Sequence, residues 1–142
     1  MDRVDWSDAY CVDNPVIDKQ HEEIFKRVNM LYDAIQNGNG ETETANMLDF
    51  LTGYVVSHFN AEEWCMKHQK YPDYPKHKRQ HNAFIQKLKV FKMNWETSNN
   101  KSGLILDLYQ LCIKWLMNHI KTSDQELGYY IHHHLDNELE TT

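Results

Sequence analysis

The chain has 142 residues, a formal net charge of −6 and nine histidines. That length suits a single domain with a genuine core, and an acidic balance without a long basic run argues against nucleic acid or an anionic membrane as a partner. No stretch approaches the roughly 18 consecutive apolar residues of a membrane span, and the N-terminus, MDRVDWSDAY, is charged where a secretory signal is apolar, so a cytoplasmic location is expected.

Residues 1–17 carry Val4, Trp6, Tyr10 and Val12 without a helical period, which predicts an irregular arm packed on the domain. The first periodic block reads Ile17, His21, Ile24/Phe25, Val28, Leu31/Tyr32, Ile35, with Asp18 as its expected N-cap and Asn37-Gly38-Asn39-Gly40 as its stop. The second runs Met47, Phe50/Leu51, Tyr54/Val55, His58, Glu62, Cys65, with Thr42 as a candidate cap. Tyr71-Pro72-Asp73-Tyr74-Pro75 then interrupts the chain, because a proline disfavours helix in the residue before it, and Pro75 suits the first turn of the next helix. The third block is His77, His81, Phe84/Ile85, Leu88, Phe91, Trp95. A polar linker from Thr97 to Ser102 leads through Gly103 to the fourth: Leu104, Leu108, Leu111/Cys112, Trp115, His119. Four helices of matched length with short connections predict an all-α, antiparallel up-down-up-down four-helix bundle. The expected division is an arm at 1–17, a bundle at about 18–127, and a frayed tail at about 128–142 that begins at Gly128.

Histidines and carboxylates recur inside the apolar stripes. His58 with Glu62 and His77 with His81 are four apart, so each pair shares one helix face and can reach one ion. His21 and His119 lie in the stripes of the other two segments. A lone histidine on an apolar face is ordinarily a hydrogen-bonded core residue, but five imidazoles with carboxylates in one core would cost several kcal/mol per unpaired charge unless a cation is present. Asp124 fits less tidily: five residues from His119, it stands about 140° around a regular helix. Either the helix distorts there or Asp124 approaches from another angle as a bridge. Imidazole donors suit iron, zinc, copper and nickel. A set of seven exceeds what one tetrahedral zinc can use, and the Glu-x-x-His motif of ferritin-like bundles does not occur.

The stretches Pro15-Val16-Ile17-Asp18-Lys19-Gln20-His21, His58-Phe59-Asn60-Ala61-Glu62-Glu63, Tyr71-Pro72 with His77-Lys78-Arg79-Gln80-His81, and Trp115 through His119 to Asp124 together resemble the hemerythrins, specifically the single-domain bacterial ones. The resemblance implies a non-haem di-iron centre with an oxo or hydroxo bridge. One iron would take His77, His81 and His119; the other would take His21 and His58 and keep an open position; Glu62 and Asp124 would bridge them. Dioxygen is the implied ligand, bound reversibly for storage, delivery or buffering rather than for catalysis, with Ile24, Phe59, Trp115 and Ile120 as walls of the oxygen pocket. Oxygen or redox sensing and a di-iron oxidase or peroxidase activity stand as alternatives, and no protein partner is specified. Asn14, where the family commonly has an apolar residue, reads as harmless. Glu63 reads as a solvated helix-face carboxylate, Cys65 and Cys112 as small buried hydrophobes, and His132-His133-His134 as a polar tail.

Overall fold

Asn14 opens the first helix. Its side-chain oxygen accepts from the backbone N–H of Val16 and Ile17 at 3.1 and 3.2 Å, and Pro15 fills a first-turn position where a missing N–H costs nothing. In this computed structural model, which describes residues 3–140 and the side chains up to His133, α1 runs Pro15–Gln36. Asn14 therefore takes the capping role expected of Asp18. The Asp18 carboxylate instead accepts the Val12 backbone N–H at 2.8 Å and pins the arm to the helix. Gly38, at a φ of 81°, makes the left-handed turn that ends α1.

The second helix, α2, covers residues 40–68: Gly40–Phe50 and Val56–His68 flank a π-helical stretch, Leu51–Val55. It starts at Gly40, so Thr42 lies inside its first turn and caps nothing. Helix α3, Tyr74–Thr97, has Pro75 in its first turn as expected. Helix α4 covers residues 102–140 and is interrupted by two π-helical stretches, Cys112–Met117 and Ile120–Asp124. The four helices form an antiparallel up-down-up-down bundle. Ile24, Phe25, Val28 and Leu31 of α1 meet Leu51, Val55 and Phe59 of α2, Phe84 and Leu88 of α3, and Leu108, Cys112, Leu116 and Ile120 of α4 in one core. Each such side chain, fully buried, contributes about 1.5–3 kcal/mol.

The arm packs on this bundle as its apolar residues predict. Trp6 and Tyr10 hold their rings 5.3 and 4.5 Å from that of Phe25, and Asp8–Tyr10 form a 3-10 turn. The Gln125 amide donates to the backbone carbonyls of Ala9 and Cys11 at 2.6 and 3.2 Å.

The expected frayed tail is a correction, since α4 continues as helix through Glu140. Gly128 is not a stop signal. A Cβ there would stand 2.1 Å from the Val12 carbonyl oxygen, so glycine is required where the arm crosses the helix. Beyond it, Tyr130 and Ile131 join a second cluster around Met66, Tyr71 and Leu127, and the Tyr130 hydroxyl donates to the carbonyls of Gln69 and Lys70 at 3.0 and 3.2 Å. His132 and His133 are exposed on this helix, whereas the side chain of His134, the rest of that predicted polar run, lies outside the described residues. Among the described residues no helix is long and apolar enough to cross a membrane.

Gly128→Ala is expected to lower unfolding stability by about 1–3 kcal/mol, the cost of forcing a methyl into packed atoms. A urea-denaturation midpoint equal to that of the parent protein would show that the arm does not cross α4 at this point.

Candidate metal centre

The bundle core changes character midway along its length. His21 of α1, His58 and Glu62 of α2, His77 and His81 of α3, and His119 and Asp124 of α4 converge there, none more than 4% exposed. The pairs on α2 and α3 share a face through ordinary helical spacing. His119 and Asp124 do so because Ile120–Asp124 is π-helical, and i→i+5 closure stacks residues five apart. The helix distorts, and the Asp124 Oδ1 lies 3.2 Å from the His119 Nε2.

The side chains turn their Nε2 atoms toward one another. His21 and His58 approach to 3.0 Å; His119 lies 3.0 Å from His77 and 3.1 Å from His81. Asp124 reaches both sets, with Oδ1 3.0 Å from the His77 Nε2 and Oδ2 3.1 Å from that of His21. Glu62 does likewise through Oε1, 3.0 Å from His58 and 3.6 Å from His81. The result is two overlapping groups, Glu62-His77-His81-His119-Asp124 and His21-His58-Glu62-Asp124, each with its donor atoms within 4.8 Å of one another. All four carboxylate oxygens of Glu62 and Asp124 are buried without a hydrogen-bond partner. Such orphaned acceptors amid converging lone pairs are what a metal-ligand set looks like, and the donor chemistry fits a pair of transition-metal ions.

Protonation agrees. Burial pushes His58 down to about 3 and His81 down to about 2, with neighbouring histidines adding to the effect; both imidazoles are neutral near pH 7 and free to ligate. Burial raises the Glu62 carboxyl well above its usual range, and the adjacent Asp124 raises it further. For Asp124 burial acts in the same upward direction, but the close approach of His119 above all, and of His21 and His77, outweighs it and holds this carboxyl low.

Two further residues touch the cluster from outside, and neither was expected to. The Gln20 Oε1 lies 2.6 Å from the His58 Nδ1. Glu63 is not a solvated carboxylate: its side chain is 14% exposed, and its Oε2 stands 3.2 Å from the His81 Nδ1. Their only sequence signal is adjacency to His21 and Glu62, which places them beside the ligand stripe without naming a partner. Of the four expected wall residues, Ile24, Phe59 and Ile120 are buried and Trp115 is half-buried. Phe59 stacks flat on His81 with ring centroids 3.9 Å apart, and Trp115 stacks on His119 at 4.8 Å, so both rings brace the three-histidine group. Cys112 is buried, its thiol pushed up to about 12 by burial, while Cys65 is only partly buried.

These shifts give the metal-free protein a signed pH profile. His58 and His81 titrate below their ordinary value of 6.5, so their contribution is present above that value and lost as pH falls. Glu62 titrates above its ordinary value of 4.5, so its contribution is present below that value and lost as pH rises. Between 4.5 and 6.5 the unfolded chain takes up protons on His58 and His81 that the folded chain refuses, while Glu62 keeps its proton to higher pH in the folded chain than in the unfolded one. The two histidines outnumber the one carboxyl, so from these three groups stability rises with pH across that window. Urea midpoints of chelator-treated protein across this window measure it, and a flat profile would contradict buried neutral imidazoles.

The sequence matches the profile of the hemerythrin HHE cation binding domain over residues 13–131. It is 30% identical to the bacteriohemerythrin of Stenotrophomonas maltophilia over 131 residues, 92% of this chain and 83% of that protein. It is 32% identical to the bacteriohemerythrin of Methylococcus capsulatus, over 78% of this chain and 82% of that one. Among solved structures, a crystal structure of a hemerythrin with a leucine-to-alanine substitution superposes with a TM-score of 0.78 at 29% identity, covering 92% of this chain and 98% of that one. A shared fold, a profile match across most of the chain, and a buried histidine–carboxylate cluster spread over four helices lead to one conclusion: this chain belongs to the hemerythrin family.

Proposed function

We propose that the seven side chains hold two iron ions and that the protein binds dioxygen reversibly, as a cytoplasmic oxygen carrier or buffer rather than as an enzyme. The observation that carries this reading is the sharing of Glu62 and Asp124 between two donor groups, with their oxygens unpaired in a dry core. Two iron ions, when bound, would supply a pair of one-electron couples for the capture and return of dioxygen. His77, His81 and His119 with the two carboxylates make a five-residue donor set; His21 and His58 with the same carboxylates make a set of four. The smaller set leaves room for an external ligand, so oxygen is assigned to the His21/His58 side.

The surrounding residues favour carriage over turnover. Ile24, Phe59 and Ile120 are buried in the same core and exclude water from the cluster. Glu62 and Asp124 would both be taken up in holding the ions, and Glu63 is held between His81 and Lys78, whose Nζ lies 3.9 Å away. None of the three is placed to pass a proton to a substrate. The names of the relatives, bacteriohemerythrins, agree with an oxygen-binding role.

Anaerobic loading with ferrous iron is expected to give two irons per chain. Admission of air should then produce a visible absorption band that disappears on deoxygenation through repeated cycles. A single irreversible oxidation would overturn the carrier reading in favour of an oxidase. Independently, His77→Ala and Glu62→Ala should each drop the iron content below two per chain and lower the Tm of the loaded protein, because metal binding contributes to folding. Full iron content in either variant would refute its assignment as a ligand.

A further inference from the structure

We infer that the two halves of the centre take their metal ions in a fixed order, the His77/His81/His119 half first, and that Glu63 is the positioning residue that enforces it. The inference rests on the ligand assignment proposed above but not on oxygen binding.

The inner donors already differ. Glu62 and Asp124 serve either ion, so the first ion to arrive gains both carboxylates wherever it sits. The choice is then between three imidazoles and two. The outer nitrogens widen the gap. When a histidine donates its Nε2 lone pair to a cation, the ring proton resides on Nδ1, and part of the cation's charge is carried by the ring. At His81 that Nδ1 faces a carboxylate, Glu63 Oε2 at 3.2 Å. At His58 it faces a neutral amide oxygen, that of Gln20, at 2.6 Å. At His21 the Nδ1 is buried and has no partner. In a medium of low dielectric an anion stabilises a ring bearing positive charge more than an amide dipole does.

Orientation runs the same way. Phe59 lies flat on the His81 ring, with centroids 3.9 Å apart and planes 5° from parallel, while Glu63 fixes the ring edge. Lys78 tethers Glu63 from the solvent side at 3.9 Å. His81 is therefore aimed before any ion arrives. His58 has Gln20 at its edge, and its contacts with the rings of His21 and Phe59 are edge-on or tilted rather than flat. The second ion enters the smaller half, shares carboxylates that are already engaged, and meets the charge of the first.

The test is an anaerobic titration of metal-free, full-length protein with Co2+ alone, followed by its visible absorption and by calorimetry. The parent protein is expected to bind two ions in resolved steps. Glu63→Gln keeps an acceptor oxygen and removes the charge; it should weaken the first step roughly 10–100-fold, the usual effect of losing an outer partner, with the second step nearly unmoved. Glu63→Asp should recover part of the loss. Gln20→Glu places a carboxylate beside His58 and should tighten the second step, closing the gap from the other side. Equal weakening of both steps by Glu63→Gln, or an unmoved first step, would overturn the role of Glu63. Two unresolved steps in the parent would overturn the order. Fewer than two ions per chain in the parent would instead refute the ligand assignment, so the two failures are distinguishable.

Discussion

Two carboxylates, Glu62 and Asp124, sit 1% and 2% exposed at the centre of a helix bundle, and none of their four oxygens has a hydrogen-bond donor. An ionised carboxylate taken out of water carries a penalty of several kcal/mol unless it is paired. The imidazoles relieve it only in part: His119, His21 and His77 hold Asp124 low, but burial pushes His58 and His81 toward the neutral form and leaves Glu62 raised well above its usual range. Cations bound in the two overlapping donor groups would give all seven side chains a partner. The remainder of the fold holds these donors converged and dry.

Regular helices meet only part of that need. Spacing of four puts His58 with Glu62 and His77 with His81 on common faces, and α2 and α3 present those pairs without deformation at the pairs themselves. Helix α4 must deliver two donors five apart, which a regular helix turns away from each other. The π-helical stretch Ile120–Asp124 resolves this by widening the turn, and a second one, Cys112–Met117, precedes His119. Such insertions are uncommon and concentrate at functional sites. Here the deviation has a stated purpose: without it, Asp124 would leave the cluster and only Glu62 would span its two halves.

Features set by local chemistry were legible in the sequence. Apolar periodicity gave four helices, Pro75 and the Asn37–Gly40 run marked boundaries, and the paired histidines announced a buried polar cluster. What escaped depends on partners distant along the chain. Gly128 has the local look of a stop, yet it is glycine because Val12, 116 positions earlier, passes over it. Asn14 has the look of a neutral replacement, yet it caps α1 and frees Asp18 for the arm. Glu63 is indistinguishable by pattern from any exposed helix carboxylate, and only the approach of α3 brings it to the His81 ring. Phe59 and Trp115 carry no mark to separate lining a cavity from stacking on an imidazole, since both demand an aromatic on the buried face.

The same residues govern stability and metal binding, and that coupling has a direction. Without an ion, the cluster is a polar insertion in an otherwise apolar core, held in place by the packing of Ile24, Phe25, Phe84, Leu116 and their neighbours. With ions bound, it becomes a crosslink among all four helices, and its binding free energy adds to that of folding. The apolar packing therefore has to be strong enough to preorganise the donors in the metal-free chain. The second cluster around Met66, Tyr71 and Leu127, together with the arm across Gly128, supplies such packing at the end of the bundle nearest Asp124. Helix α4 extends past its last proposed ligand for this reason: a helix that ended at Asp124 would leave a donor on a fraying terminus, whereas one anchored through Leu127 and Tyr130 holds it within a fixed turn.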